Sequence, residues 1–113
     1  MGTTKFNGWQ NYETWVANLW LSNDQGTYDY WREMTREVLR ASEATGIFTR
    51  AEIARNDLAE RLEKAIQENN PCTEASLYSD LLNGAIAEID WHEVATAFLE
   101  DIAQDEEIKQ DPR

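Results

Sequence analysis

The 113-residue chain carries 42 per cent apolar and 28 per cent charged side chains, enough for one domain with its own core. Twenty-two acidic residues against ten basic ones leave a net charge of −12, which argues against direct binding to nucleic-acid phosphates. No apolar run nears the roughly eighteen residues of a membrane span, and the single Cys72 excludes an intramolecular disulfide and a cysteine-rich metal site.

The chain opens on a short segment, 2–9, that could be extended but shows no strand alternation. No apolar stretch follows Lys5, so a secretory signal is not expected and a cytoplasmic protein is the simplest reading. Residues 7–20 then hold three of the five tryptophans, Trp9, Trp15 and Trp20, together with Tyr12 and three asparagines. Asn11 is placed to cap a first helix over about 12–22, with Tyr12, Trp15, Val16, Leu19 and Trp20 on one face. Core packing is the expected role of Trp15, Val16, Leu19 and Trp20.

A second helix is expected over 27–44, with Tyr28, Trp31, Met34, Thr35, Val38, Leu39 and Ser42 in a stripe and Gly46 closing it. Arg32, Arg36 and Arg40 follow one another at four-residue spacing beside Asp29, Glu33 and Glu37. Thr49-Arg50-Ala51-Glu52 is a capping box that starts a third helix, running to about Glu68 and presenting Ala54, Leu58, Leu62, Ala65 and Ile66. Phe48 and Ile53 fit the accompanying apolar staple. Pro71 ends that helix, because the residue before a proline is pushed out of the helical region.

The fourth helix is expected over 74–87, with Leu77, Tyr78, Leu81, Leu82, Ala85 and Ile86 facing inward. Asp90-Trp91-His92-Glu93 repeats the capping-box pattern, with Ile89 and Val94 as its staple. A fifth helix follows over 91–104, with Trp91, Val94, Ala95, Phe98, Leu99 and Ile102 on one side. The expected architecture is all-α: a compact bundle of five short helices forming one domain over 1–104, and an acidic, frayed tail over 105–113.

The charge is unevenly spread. Residues 1–23 sum to zero and residues 24–70 to −3, whereas residues 71–113 hold eleven acids against Lys109 and Arg113. Such a face attracts basic protein surfaces. The acidic positions that could meet a partner are Glu74, Asp80, Glu88, Asp90, Glu93, Glu100, Asp101, Asp105, Glu106 and Glu107.

Chemistry is sparse. His92 is the one histidine and Cys72 lies twenty residues away, so a nucleophile–base pair lacks a third, orienting group. Asp90, His92 and Glu93 do not share a helix face, there is no phosphate-cradling glycine loop, and the capping pattern already accounts for Asp90 and Glu93. Neither catalysis nor a cofactor or metal is expected.

Asn7-Gly8-Trp9-Gln10-Asn11-Tyr12-Glu13-Thr14-Trp15, followed by Leu19-Trp20 and Asn23-Asp24, resembles the opening of small uncharacterised proteins of bacteria, archaea, plasmids and phages. These carry a Gly-Trp-x-Asn-Tyr-x-Thr-Trp signature. Ile89-Asp90-Trp91-His92-Glu93-Val94-Ala95 resembles a second motif of the same family. The resemblance implies a mobile-element context and supplies no catalytic residue. It favours a small acidic binding protein that inhibits a nucleic-acid-binding host enzyme, as a DNA mimic in an anti-restriction or anti-CRISPR role. The alternative is a module for protein interaction or self-association that uses an aromatic patch of Trp9, Tyr12 and Tyr30 near the N-terminus. In either case the partner is a protein, and the oligomeric state is not legible.

Overall fold

The computed structural model describes residues 5–110, with side chains through Asp105. Five helices follow in order: α1 (Tyr12–Asn23), α2 (Gln25–Ala41), α3 (Arg50–Glu68), α4 (Leu77–Ala87) and α5 (Trp91–Gln110). Among the described residues there is no strand beyond an isolated bridge between Phe6 and Trp9.

That bridge closes a two-residue turn. Phe6 and Trp9 exchange backbone hydrogen bonds of 2.8 and 2.7 Å, while Asn7 and Gly8 sit at φ 48° and 86°. Both angles lie in the left-handed region that an Asn-Gly pair adopts at a tight hairpin turn. The turn brings the Phe6 ring against Tyr12 and Trp15, with centroids 5.2 and 5.0 Å away.

Two helix starts follow the expected caps: Asn11 accepts from Thr14 N at α1, and Thr49 and Glu52 form the reciprocal box at α3. At α2 the cap is Asp24, which accepts from Thr27 N and was not expected in that role. Four ends differ from expectation. Asp24 starts α2 two residues before position 27. α2 stops at Ala41, where Ser42 is extended and donates its N–H to Leu39 O; Arg50 donates to the same carbonyl from Nε and Nη2 at 2.9 and 2.7 Å. Gly46, whose φ is not positive, closes no helix. α4 begins at Leu77, because Ser76 and Ser79 build their own capping box there. α5 continues to Gln110, past the start of the expected tail at 105.

α3 and α5 form the closest pair. Ala54 and Ala59 on α3 and Ala95 on α5 are buried and let the backbones approach, while Leu58, Leu62, Val94, Phe98 and Ile102 fill the seam. α2 adds Trp31 and Val38, and α1 adds Leu21. α4 keeps its distance from the other backbones. It contributes Ile86 to the core, with Leu82 packed beside it. Leu77, Tyr78 and Leu81, expected inside, are 68, 74 and 63 per cent exposed, and Trp20 of α1 is 70 per cent exposed. These four positions correct the sequence reading. Periodicity marks an apolar face, but it does not say that another element covers it.

α1 is tied to the α4–α5 junction by one polar latch. Thr14 is fully buried. Its hydroxyl donates to Asn11 Oδ1 (2.6 Å) and accepts from Asp90 N (2.8 Å), and Asn11 Nδ2 donates to Glu88 O (2.8 Å). Glu93 was expected to complete a capping box with Asp90. Instead its carboxylate accepts from Gln10 N at 2.9 Å, leaving Asp90 Oδ1 to cap Glu93 N alone.

Replacing Thr14 with Val keeps the shape but leaves the Asp90 N–H and a lone pair of Asn11 unmatched. Thr14→Val should therefore cost on the order of 2 kcal/mol in urea unfolding and lower the melting temperature by several degrees. Thr14→Ser, which keeps the hydroxyl, should lose only about one methyl's burial, roughly 0.8 kcal/mol.

Candidate functional site: an apolar groove between α1 and α4

The latch joins α1 near its start to α4 at its end, and between these two helices lies an open groove of about 660 Å³. Tyr12, Val16 and Trp20 form the α1 wall at four-residue spacing, and Leu82, Ala85 and Ile86 form the α4 wall. Ile66 from the end of α3 and Trp91 from the start of α5 close it from below. The Trp91 ring is buried, and its indole N–H meets no acceptor among the described residues.

Tyr78 and Leu81 precede Leu82 and Ala85 by four residues on the same rows of α4, so the exposed side chains continue the groove's apolar stripe along the helix. The loop that leads into α4 is braced. Asn70 accepts from Cys72 N at 2.8 Å and donates to Asn83 Oδ1 at 3.0 Å. Polar groups at the groove are few: Glu13 and Asp24 are its acidic members, and no Lys, Arg or His lines it among the described residues. Asp24 is held below the ordinary carboxylate range by hydrogen bonds from the Thr27 hydroxyl and backbone.

The expected aromatic patch is divided. Tyr12 lines the groove and is 54 per cent exposed. Trp9 is half-buried behind the hairpin turn, and Tyr30 is exposed with its ring edge-on to Trp31. No ring contact joins these three among the described residues. The residue that sequence reading assigned elsewhere is Trp20, and its exposed position on the α1 wall is the groove's largest apolar feature.

The expected acidic face also divides. Glu74, Asp80, Glu88 and Glu100 are exposed. Asp90 caps α5 and Glu93 is bonded to Gln10. Asp101 and Asp105 face α2: Arg32 lies 3.2 Å from Asp101 and 3.1 Å from Asp105, and Arg36 lies 3.2 Å from Asp105. The Arg32 Nε approaches Asp101 as an ion pair without hydrogen-bond alignment, and its guanidinium sits 5.4 Å above the Tyr28 ring. Tyr28 donates its hydroxyl to Asp101. The side chains of Glu106 and Glu107, and all of residues 111–113, lie outside the described residues.

Elsewhere, His92 Nε2 lies 3.1 Å from Asn56 Oδ1. Among the described residues no three of His, Cys, Asp or Glu cluster as a metal site would need, and no helix is long and apolar enough to cross a membrane.

Residues 2–110 match the sequence pattern of a family of unknown function, DUF7249, and the chain belongs to that family. Neither the curated proteins nor the solved structures contain a match to it.

The hydrogen bond to Asp101 raises the Tyr28 phenol above its ordinary value, with burial and the Asp101 charge adding to the effect. A raised folded value means that the bond stabilises the fold fully below the unfolded phenol's value of about 10 and that this stabilisation is lost as pH climbs through the folded value. In a spectrophotometric titration the Tyr28 phenol should ionise late, and Tyr28→Phe should remove that late phase. Loss of a different phase would show that the Tyr28–Asp101 bond does not govern it.

Proposed function

We propose that this member of DUF7249 is a non-enzymatic binding protein that holds a protein partner in the groove between α1 and α4. The observation that carries this reading is the exposure of Trp20, Leu77, Tyr78 and Leu81 beside a preformed apolar groove. Contiguous exposed apolar surface on a small protein marks an interaction site more often than a structural need, and aromatic side chains dominate the binding energy of such sites. The acidic surroundings favour a partner whose contacting surface is basic.

A second reading keeps the DNA-mimic role, in which an anti-restriction or anti-CRISPR protein of phage or plasmid type occupies a nucleic-acid site. It is supported by the absence of any Lys or Arg between Lys64 and Lys109. The two readings differ in what they bind with. Mimicry relies on exposed carboxylates such as Glu74, Asp80, Glu88 and Glu100, whereas groove binding relies on apolar side chains.

Affinity capture from the native host separates them. Partners held by the wild-type chain should be lost with a Trp20→Ser/Leu81→Ser double variant, which at exposed positions should shift stability by only about 0.5 kcal/mol per site. A partner retained by that variant but released by moderate salt, or displaced by duplex DNA, would move the function to the carboxylates.

A further inference from the structure

The occupant of the groove follows from its walls and its charge, granted that the groove is the binding site. We infer that it receives an amphipathic α-helix whose flanks carry Lys or Arg. The walls are helices, whose backbone hydrogen bonds run within each helix, and among the described residues there is no open sheet edge. An extended peptide laid in this groove would find no ladder of N–H and C=O groups to pair with. A helix brings its own backbone bonds and needs only an apolar face. The α1 wall is 12 residues long, about 18 Å at the helical rise, which matches roughly three turns of a partner helix.

Charge selects the flanks. Glu13 and Asp24 lie at the groove, Glu74 and Asp80 are exposed on and before α4, and no basic side chain lines it among the described residues. From 65 to 108 the chain contains no Lys or Arg at all. The described cations sit elsewhere, on Lys5 and on α2 and α3, and Arg32 and Arg36 are engaged by α5. The same charge argues against a second copy of this chain as occupant. Two copies meeting at α4 would oppose like-charged faces, each from a molecule of net charge −12.

The test uses the full chain and three synthetic peptides: Leu/Lys with helical spacing, Leu/Glu with the same spacing, and Leu/Lys of identical composition in strict alternation. Tryptophan emission reports groove occupancy through Trp20 and Trp91, and circular dichroism reports helix gained on binding. The helical Leu/Lys peptide should bind with a gain of helix and a shift in emission. Its affinity should fall at least about tenfold in the Trp20→Ser/Leu81→Ser variant, as expected when interface anchors are removed. The Leu/Glu peptide should not bind. Equal binding of the alternating peptide, or binding unchanged by the double variant, would reduce the effect to adsorption on an acidic surface and overturn the inference. Sedimentation showing a dimer that the peptide does not dissociate would assign the groove to a second copy. If the double variant loses a host partner while the helical Leu/Lys peptide fails to bind, the groove reading stands and the helical occupant falls.

Discussion

One buried hydroxyl organises this molecule. Thr14 is fully enclosed, yet both its donor and its acceptor capacity are used, toward Asn11 in its own first turn and toward Asp90 at the head of α5. Asn11 completes the circuit by reaching the Glu88 carbonyl at the end of α4. Three helices thereby meet at one polar point. A buried polar group is costly when unmatched and directional when matched, so this junction fixes the angle between α1 and α4 in a way that apolar contacts alone would not. The groove lies between those two helices.

The second constraint is where the cations go. Arg32 and Arg36 turn toward Asp101 and Asp105, and Tyr28 adds its hydroxyl to Asp101. Taken singly, half-exposed ion pairs contribute little. Their collective result is an arrangement of charge: the α2–α5 seam neutralises carboxylates that sequence alone would count as available. It also anchors α5 beyond residue 104. Of the acids after residue 70 among the described residues, those left exposed are Glu74 before α4, Asp80 on α4, Glu88 at its end and Glu100 on α5.

Much of this was legible in the sequence. The capping box at Thr49–Glu52, the Asn11 cap and the apolar stripes of α3 and α5 are local signals, and local signals name local structure. Asn7-Gly8 was an equally local signal for the hairpin turn, but it lay outside any alternating run and so suggested no strand. The latch was not legible, since Thr14 and Asp90 stand 76 positions apart. Glu93 shows the ambiguity well: its spacing from Asp90 fits a capping box, and only tertiary placement sends its carboxylate to Gln10. The largest departure, α4, has the same physical origin. An apolar stripe looks identical whether its cover belongs to the same chain or to another molecule.

An exposed apolar groove invites self-association, and the chain's net charge of −12 opposes it. Like charge around an apolar face raises the free energy of pairing two copies while leaving the face open to an oppositely charged molecule. Apolar filling of the groove would supply most of the affinity, because it removes Trp20 and Leu81 from water. The surrounding carboxylates would chiefly speed encounter and reject anionic competitors. High net charge and exposed hydrophobicity, which conflict in a protein that must only stay soluble, are complementary requirements in one that must bind a basic helix and not itself.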